Sequence, residues 1–381
     1  MHRLCDCTMF WSAAGGGVRR YLEQKIAWLG GFPDSFRHLL VVPGASDSSI
    51  EDGIARRSVV RCPSIPFSPG YRMPVAVGPV LRILSAWRPD LAEGGCPFRF
   101  RKALSAWAAA SGRPVFDYYH AYFPVSYTAS VFGSRTTPLR RALERAGWAY
   151  LRSVYSDSAR IFVASPVVRD ILSRHGVTNT ELAPLGVDTA LFRPRDGGAA
   201  PPVILFVGRL TGEKGLGTVV ETYRAVAGRR PARLVIVGDG IMRREVEELA
   251  ASDSGVSFLS FLEPGALAEV YRRSGVLLSA APAETLGMTF LEALASGIPV
   301  VGLSGSGLMD TFPSAIARAV DDPSPERLAE AVLSFLDSPP DPEACRRHAE
   351  SYSWPGRLAA ILSRELEIAG LEVPAGIGDT P

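Results

Sequence analysis

Two glutamates, Glu284 and Glu292, stand eight residues apart in a segment whose pattern suits the binding of sugar and phosphate. Between them, Gly287 indicates a small turn, and the residues that follow predict a helix beginning near Met288 and Thr289. The free amides at the start of such a helix carry partial positive charge and can receive a phosphate. Glu284 can accept hydrogen bonds from sugar hydroxyls, whereas Glu292, further along the helix, can reach a ribose diol.

A simpler interpretation makes Glu284 a helix cap and Glu292 a solvent-exposed residue. The neighbours of Glu292 argue against the second part, because Phe290, Leu291 and Leu294 are apolar. An acid among residues that are expected to be buried needs a partner.

Two basic residues stand in the segment Gly208-Arg-Leu-Thr-Gly-Glu-Lys-Gly215, which follows the predicted strand Val203–Val207. Arg209 and Lys214 can bind two oxygens of a diphosphate, the arginine as a planar fork and the lysine as a point charge. The alternative is a solvated loop in which Glu213 and Lys214 are ordinary neighbours.

A run of three glycines, Gly15-Gly-Gly17, lies between a predicted strand over residues 4–10 and a predicted helix, Val18–Leu29. The backbone amides of Gly16 and Gly17, together with the helix start, can receive a phosphate. A tight turn that requires glycine is equally compatible with this run.

His120 directly follows the predicted strand Val115–Tyr119, in the segment Asp117-Tyr-Tyr-His120. A lone histidine is more often structural than catalytic. The position at a strand end nevertheless distinguishes His120 from the other four histidines and makes it a candidate for catalysis.

Short apolar runs alternate with segments of helical period along the chain, which is typical of βαβ units and parallel sheets. In the second half, the predicted strands are Val203–Val207, Arg233–Val237, Val256–Leu259, Val276–Ser279 and Pro299–Gly302. The first half has the same alternation with more interruptions, and the proline-rich stretch Pro63–Pro79 is expected to be irregular. The pattern predicts two Rossmann-like domains, with Phe192–Pro202 as the best linker candidate by its Pro and Gly content.

The charge is unevenly distributed between the two halves. Residues 1–186 contain 23 basic and 13 acidic residues, a balance of +10, whereas residues 187–381 contain 18 and 26, a balance of −8. A basic half suits an anionic partner, and phosphorylated acceptors, acidic lipid surfaces and nucleic acid all meet that description. An ordinary arginine-rich surface is the alternative.

The composition predicts a folded soluble protein, since 47% of the residues are apolar and 21% are charged. The five cysteines have neither CxxC pairs nor metal-type spacing to histidine, which indicates reduced thiols. The start lacks the pattern of a secretory signal, and no run of about 18 uncharged apolar residues occurs. We therefore expect a cytoplasmic protein whose contact with a membrane, if it has one, is peripheral.

Taken together, these motifs resemble glycosyltransferase family 4, the retaining enzymes of the two-domain GT-B type. The resemblance rests on the glycine loop, on Asp117-x-x-His120, on Gly-Arg-Leu-x-x-Glu-Lys-Gly and on Glu-x7-Glu, in that order. It implies an α/β fold with two Rossmann-like domains facing each other across a cleft and a C-terminal helix that crosses back to the first domain. The implied divisions are an N-terminal acceptor domain (1–186), a nucleotide-sugar domain (187–352), the returning helix (353–371) and a disordered tail (372–381).

The resemblance also implies a role for each candidate residue. Arg209 and Lys214 would hold the diphosphate of a nucleotide-sugar donor and stabilise the leaving group, an electrostatic role that grows in the transition state. Glu284 would contact the transferred sugar, and Glu292 the ribose. The backbone groups that would bind the donor belong to Gly287, Met288 and Thr289. His120 would orient the sugar, and Gly16 and Gly17 would line the donor phosphate or the acceptor.

The resemblance implies a nucleotide-sugar donor, for which we expect a GDP-mannose or UDP-hexose type, and a glycan or lipid-linked acceptor, without nucleic acid. The basic first half suggests, as a hypothesis, an anionic membrane surface at the inner face of the cytoplasmic membrane. No Asp-x-Asp occurs in the chain, so we expect neither a metal nor another cofactor. One departure from the family pattern is the segment Ser304–Asp310, where relatives often have Gly-Gly-x-x-Glu and where Asp310 can replace the acid.

Three other classes of protein compete with this interpretation. A nucleotide-sugar epimerase can share the fold but needs further acids and histidines for its chemistry. A dinucleotide oxidoreductase is indicated by the glycine loop alone, without GxGxxG. A binding protein without catalysis would leave the charged residues of the motifs unexplained.

Overall fold

The structure is a computed structural model in which residues 1–11, 16–44, 49–52, 57–68, 71–120, 123–125, 127–128, 137–197 and 202–377 are described. The chain divides into two compact units. Unit 1 comprises Met1–Pro184 and Pro355–Pro381, and unit 2 comprises Leu185–Trp354. The C-terminal helix therefore belongs to unit 1, the unit that also contains the N-terminus.

Unit 1 is built on one large sheet. Its strands are β1 (His2–Cys7), β2 (Phe36–Gly44), β3 (Ser49–Asp52), β4 (Arg57–Ser68), β5 (Tyr71–Pro74), β6 (Leu91–Gly94), β7 (Val115–Tyr119), β8 (Arg160–Val163) and β9 (Thr180–Leu182). In the described part of the chain the strand order is β3-β4-β2-β1-β6-β7-β8-β9, and β5 pairs with β4. The pairs are parallel except for β3–β4 and β4–β5.

The helices of unit 1 cover this sheet. Within the described residues they include α1 (Gly17–Leu29), α2 (Val77–Trp87), α3 (Arg99–Ser111), α4 (Pro138–Val154), α5 (Pro166–Arg174) and the C-terminal helix, named α12 below (Trp354–Ile368). One hydrophobic core packs α2 and α3 against the middle of the sheet, with Leu84, Phe100 and Leu104 fully buried.

Unit 2 has a second sheet, which is parallel throughout the described residues. Its strands are β10 (Val203–Val207), β11 (Arg233–Val237), β12 (Val256–Leu259), β13 (Val276–Leu278), β14 (Val300–Leu303) and β15 (Ala317–Val320), in the order β12-β11-β10-β13-β14-β15. Its helices are α6 (Leu216–Ala227), α7 (Arg243–Ser252), α8 (Pro264–Arg272), α9 (Met288–Ala295), α10 (Pro325–Asp337) and α11 (Pro342–Glu350). Strand β10 is entirely apolar because both faces of a parallel sheet are buried.

The stretch Pro63–Pro79, expected to be irregular, instead contains strand structure. Its first part belongs to β4 and pairs antiparallel with β5. The pairing shifts register between Pro66 and Ser68. Prolines are compatible with strands at sheet margins and at bulges, because there the missing N–H costs no ladder hydrogen bond.

Two further expectations differ from the structure. Phe192, at the start of the predicted linker, is buried in unit 2 and packs edge-on against Tyr271 with ring centroids 5.6 Å apart. Residues 372–377 of the predicted disordered tail are described, and Ile377 is fully buried, whereas 378–381 lie outside the described residues. The described part of this segment therefore buries an apolar residue, although its composition resembles a loop.

A buried cluster of charged residues lies at the centre of unit 1. Lys25, on α1, donates to Asp6 of β1 at 2.9 Å and to Glu93 of β6 at 3.0 Å. The hydroxyl of Tyr21 donates to Glu93 at 2.8 Å, and His38 lies 2.5 Å from Asp6. Burial alone would raise the pKa of Asp6, but Lys25 and His38 overcome it and lower the pKa to about 2.

The C-terminal helix adds a third carboxyl to this cluster. Glu365 of α12 is fully buried, and its oxygens lie beside Glu93 without a hydrogen bond of ordinary geometry to any described residue. Burial raises the pKa of Glu365 well above its usual range, and Glu93 and Asp6 raise it further against the opposing effect of Lys25. Lys25 is therefore the cation that interacts with all three carboxyls, and the third of them, Glu365, favours its protonated form.

We predict that Glu365→Gln stabilises unit 1 at pH 8 and has less effect at pH 5. A carboxyl whose pKa is raised by folding contributes stability below its unfolded pKa, and this contribution is lost as the pH rises through the folded pKa. Glutamine resembles the protonated form at every pH. Urea unfolding should show a gain of about 1–3 kcal/mol at pH 8, because glutamine removes the free-energy cost of protonating a buried carboxyl that the unfolded chain ionises.

The matched control is Glu367→Gln, which removes a carboxylate from the same helix at a side chain that is 56% exposed. An equal gain at both pH values, or the same gain in the control, would contradict the role of Glu365.

Candidate active site

The loops that follow neighbouring strands of unit 2 are joined backbone to backbone. The amide of Gly208, after β10, donates to the carbonyl of Val237 at 3.0 Å, and the amide of Leu210 donates to that of Asp239 at 2.9 Å. A Cβ at Gly238, which has φ of 146°, would lie 1.9 Å from the carbonyl oxygen of Gly208. Glycine is therefore required at Gly238 for the loops after β10 and β11 to pack together.

Lys214 and Glu284 form the salt bridge at the centre of this edge of the sheet. Strands β10 and β13 are parallel neighbours, so the loops after them emerge side by side. The Lys214 ammonium donates to Oε2 of Glu284 at 2.7 Å, with side-chain exposures of 21% and 20%. Arg209, on the same loop, is more exposed and pairs with Glu213 at 2.6 Å. The structure thus brings together Lys214 and Glu284, and it keeps Arg209 at the surface.

Helix α9 begins next to Glu284 with a glycine in the left-handed region. Gly287 has φ of 85°, and a Cβ there would lie 2.2 Å from the ring of Phe290. The carbonyl of Gly287 accepts from the amide of Phe290 at 2.9 Å. The amides of Met288 and Thr289 have no partner among the described residues, as is usual for the first turn of a helix. They are donors that an anionic ligand can use.

The loop over residues 304–310 supports this site from one side. The amide of Gly307 donates to the backbone carbonyl of Glu284 at 3.0 Å, and the amide of Leu308 donates to that of Leu286 at 3.1 Å. Asp310 lies in a short 3-10 helix, Met309–Thr311, and its Oδ2 accepts from the amide of Gly305 at 2.7 Å. The Asp310 carboxylate therefore binds a backbone amide within its own loop, between residues 305 and 310.

Glu292 is buried rather than exposed at the surface. It is 3% exposed, and its Oε2 accepts from the hydroxyl of Tyr271 at 2.9 Å. The partner required for a buried acid is therefore a tyrosine from α8, which the sequence analysis did not identify. The binding of ribose by Glu292 stays a prediction.

His120 lies in unit 1, just after β7, and is held between aromatic rings. Its imidazole stacks on Tyr118 with centroids 4.3 Å apart and lies 5.5 Å from the ring of Tyr21. Burial lowers the pKa of His120 to about 3, against the opposing effect of Asp6. The imidazole is therefore neutral near pH 7 and is suited to hydrogen bonding rather than to acting as a cation.

Asp117, in the same segment, forms buried hydrogen bonds that hold elements of unit 1 together. It is fully buried and accepts from Nε of Arg101 at 2.8 Å and from the hydroxyl of Ser158 at 2.5 Å. Burial raises its pKa to about 7 in spite of the arginine. Asp117 thus connects β7 to α3 and to the start of β8.

The glycine run precedes α1 of unit 1, as predicted. Gly16 is the N-cap, Gly17 is the first helical residue, and the first turn contains no acid. The carbonyl of Gly16 accepts from the amide of Arg20 at 3.3 Å. Gly15 lies outside the described residues. The structure places Gly16 and Gly17 at a helix start, where an anion can bind, and their role in donor or acceptor binding stays a prediction.

Two exposed apolar residues at the same edge of unit 2 are further candidates. Ile241 follows β11 and is 85% exposed, and Phe261 follows β12 and is 59% exposed. Because β11 and β12 are parallel neighbours, both residues lie at the edge that holds Lys214 and Glu284. A large apolar residue just beyond the end of a strand was the available signal in the sequence.

Two sheet-based units, one of which combines a lysine–glutamate pair with a free helix start, fit the pattern expected of a nucleotide-sugar glycosyltransferase of the GT-B fold. Comparison with known families agrees. The family model described as Glycosyltransferase Family 4 matches residues 15–191 of the sequence. The family model described as Glycosyl transferases group 1 matches residues 192–352. The chain belongs to glycosyltransferase family 4, as the resemblance of its motifs predicted.

Similar proteins have related names. A GDP-mannose-dependent alpha-(1-6)-phosphatidylinositol dimannoside mannosyltransferase of Mycobacterium tuberculosis is 30% identical over 99% of both chains. A GDP-mannose-dependent alpha-mannosyltransferase of Corynebacterium glutamicum is 27% identical over 87% of this chain and 81% of its own length. A sucrose-phosphate synthase structure from Thermosynechococcus elongatus has a TM-score of 0.77 at 20% identity, over 97% of this chain and all of that one.

These findings identify the protein as an enzyme, a nucleotide-sugar-dependent glycosyltransferase, and decide against the epimerase. They also leave the oxidoreductase and the binding protein without support. Within the described residues, every helix is too short or too polar to cross a bilayer.

We predict that Gly287→Ala destabilises unit 2, whereas Gly217→Ala, near the start of α6, does not. The methyl group would clash with Phe290, and a φ of 85° is strained for alanine, so unit 2 should lose about 1–3 kcal/mol of stability. Gly217→Ala is the control, because no atom lies within 4 Å of its added Cβ and alanine favours a helix. Thermal unfolding compares the two, and equal midpoints would contradict the need for glycine at Gly287.

Proposed function

We propose that this glycosyltransferase is a retaining mannosyltransferase that uses GDP-mannose and acts on a lipid-linked acceptor at an anionic membrane surface. Two similar proteins are named as GDP-mannose-dependent, and one of those names specifies a phosphatidylinositol mannoside. The observation that carries the proposal is the Lys214–Glu284 pair beside the free amides of α9.

This arrangement separates two functions at one edge of the sheet. An ammonium group has three donors, of which Glu284 uses one, so Lys214 retains donors for phosphate oxygens. The amides of Met288 and Thr289 add the partial positive charge of a helix start. Glu284 offers a carboxylate for the hydroxyls of the sugar. The diphosphate is thus assigned to the cations and amides, and the mannose to the acid.

The cations also support the chemical step. In retaining transfer, the bond from the anomeric carbon to the phosphate oxygen breaks, and the acceptor oxygen bonds to that carbon on the same face. The acceptor proton passes to an oxygen of the leaving phosphate. Negative charge grows on the diphosphate as the bond breaks, so Lys214 and Arg209 stabilise the transition state more than the ground state.

Unit 1 is assigned to the acceptor and to the orientation of the sugar. The neutral imidazole of His120 can exchange hydrogen bonds with sugar hydroxyls, and its stacking on Tyr118 fixes its plane. Gly16 and Gly17 offer the backbone of a helix start without side chains in the way. These glycines would bind a phosphate of the donor or of the acceptor.

The proposed reaction uses no metal. Metal-dependent sugar transfer requires a carboxylate set to clamp the diphosphate, and the chain lacks Asp-x-Asp. Arg209, Lys214 and the helix start supply positive charge for the same purpose.

The exposed residues Ile241 and Phe261 are assigned to the base of the donor. An aromatic face and a branched apolar side chain can pack against a purine, and burial of this surface would favour binding.

The balance of +10 over residues 1–186 favours an acceptor or membrane that carries phosphate. We therefore propose that the protein acts at the inner face of the cytoplasmic membrane.

We expect calorimetry to show that GDP binds more tightly than UDP or ADP and that a chelator leaves the affinity unchanged. Tight binding of UDP in place of GDP would contradict the proposed donor while keeping the class. Loss of binding on chelation would contradict the metal-independent site. Weak binding of all three nucleotides, together with binding of NAD(H), would overturn the function.

We also expect Lys214 and Glu284 to have separable effects. Lys214→Met removes a charge-assisted hydrogen bond to the diphosphate and should weaken GDP binding by about 10- to 100-fold. Glu284→Gln should keep GDP affinity within about threefold, because its proposed contacts are with the sugar, but should lower turnover of GDP-mannose by about 100-fold.

Arg244→Met and Glu248→Gln are the matched controls for this pair. These residues form an exposed salt bridge on α7, at 2.9 Å, and should alter neither measurement. If both site variants lost GDP affinity equally, or neither lost any function, the division between diphosphate and sugar would be wrong.

A further inference from the structure

The imidazole of His120 is held by two tyrosine rings. Its centroid lies 4.3 Å from that of Tyr118, with the planes 19° apart, and 5.5 Å from that of Tyr21, with the planes 51° apart. The two tyrosine rings also contact each other, with centroids 5.3 Å apart. Within the described residues, neither ring nitrogen of His120 forms a hydrogen bond. The position of the imidazole therefore depends on these two rings.

The two tyrosines are buried, whereas His120 is half-buried. Tyr21 and Tyr118 are 0% and 1% exposed, and part of His120 remains at the surface. A ligand can therefore reach the histidine but not the tyrosines. Any effect of the tyrosines on a reaction has to act through His120.

Each tyrosine ring is fixed by its hydroxyl group. The hydroxyl of Tyr118 donates to the carbonyl of Ala183 at 2.5 Å, and the hydroxyl of Tyr21 donates to Oε2 of Glu93 at 2.8 Å. Tyr118 lies on β7, two residues before His120, so the two side chains share one face of the strand. Tyr21 comes from α1 and is therefore the ring that fixes His120 relative to another element.

Two side chains of α1, one helical turn apart, bind the same carboxylate. Tyr21 and Lys25 both donate to Oε2 of Glu93, the lysine at 3.0 Å. Lys25 also donates to Asp6 at 2.9 Å, which attaches the same face of α1 to β1 as well as to β6. Hydrogen bonds to charged groups are stronger than those between neutral groups. The ring of Tyr21 thus has a fixed base from which it supports His120.

Helix α1 also begins with the glycines that the proposed function assigns to phosphate. Gly17 is its first residue and Gly16 its N-cap, and Tyr21 follows Gly17 by four residues. A shift or rotation of α1 would therefore move this helix start and the Tyr21 ring together. Tyr21 thus sets the distance between the two parts of unit 1 that are assigned to substrates.

We infer that Tyr21 is a positioning residue for sugar transfer, whose ring holds the His120 imidazole at a set distance from the start of α1 and whose hydroxyl, bound to Glu93, keeps that ring from turning. The inference rests on the proposed function for the role of His120, and it adds the residue that places the imidazole. The alternative is that Tyr21 only stabilises the core of unit 1. The two roles differ in what happens to His120 while the protein stays folded.

The first test is NMR of the full chain with isotope-labelled histidine, in which the His120 signal is identified by its absence in His120→Gln. Burial lowers the pKa of His120 to about 3, so the wild-type imidazole should stay neutral between about pH 5 and pH 8. Of the charged groups that act on it, Asp6 of β1 favours the charged form and Lys25 of α1 opposes it.

The variants should change these spectra. In Tyr21→Leu, loss of the ring exposes the imidazole, so its pKa should rise toward the ordinary value and His120 should titrate between about pH 5 and pH 8. In Tyr21→Phe, the ring without its anchor can turn, so the ring-proton shifts of His120 should change. A merely structural role would lower the stability of unit 1 and leave both readouts as they are in the wild type.

The second test is the release of GDP from GDP-mannose with water as the acceptor, so that no lipid has to be identified. Tyr21→Leu should lower kcat about 30-fold and Tyr21→Phe about fivefold, because the rate of transfer falls steeply when a positioned group is displaced. The KM for GDP-mannose should change by less than about twofold, since the donor is assigned mainly to unit 2.

Tyr155→Leu and Tyr155→Phe are the matched controls. Tyr155 is 2% exposed and packs on Tyr119, with ring centroids 6.4 Å apart. Tyr119 points to the opposite face of β7 from Tyr118, so this ring lies away from His120. The Tyr155 variants should lower the thermal midpoint but leave the His120 titration and kcat unchanged. An equal fall in kcat in these controls would show a general loosening of unit 1 and would overturn the inference.

The remaining outcomes separate this inference from the proposed function. A folded Tyr21→Leu whose His120 titration and kcat match the wild type would overturn the inference. If the leucine variant does not fold, Tyr21→Phe decides, and unchanged ring-proton shifts with unchanged kcat would overturn it too. If the wild type neither binds GDP nor releases it from GDP-mannose, the proposed function is wrong, and the histidine spectra alone then decide whether Tyr21 places His120.

Discussion

The salt bridge between Lys214 and Glu284 is the interaction on which the candidate site of unit 2 depends. The two residues are far apart in sequence, and they meet because β10 and β13 are parallel neighbours. The loop of Lys214 is fixed by backbone contacts to the loop after β11, and the loop of Glu284 is fixed by the amide of Gly307. A small shift of either strand would therefore separate the charged groups, so the rigidity of the sheet sets the geometry for the chemistry.

The elements of unit 2 were the most predictable from the sequence. Strands β10 and β11 have the bounds that were expected, because an apolar run in a doubly covered sheet has polar or glycine-containing borders. Strand β12, Val256–Leu259, was also predicted residue for residue. In unit 1, β2 includes the polar residue His38, which is buried against Asp6. A residue scale that ranks histidine as polar cannot represent that contact.

The residues missed by the sequence analysis are those whose partners are remote. Tyr271 supports Glu292 from another helix, and Glu365 enters the Asp6–Lys25–Glu93 cluster from the end of the chain. Neither contact leaves a local pattern, since both depend on how helices pack on a sheet. The motif residues could be found because a strand end and a helix start are local features. Their surroundings follow from the tertiary fold, as for the aromatic rings around His120.

The scarcity of lysine has a consequence for reading related sequences of similar composition. The chain has 41 basic residues, and only Lys25, Lys102 and Lys214 are lysines. Two of these three bind carboxylates in confined places, Lys25 between two strands and Lys214 between two loops. A compact ammonium directs its donors tetrahedrally, whereas a guanidinium is planar and larger. In this arginine-rich protein, Lys25 and Lys214 therefore mark places where shape, and not only charge, limits the choice of side chain.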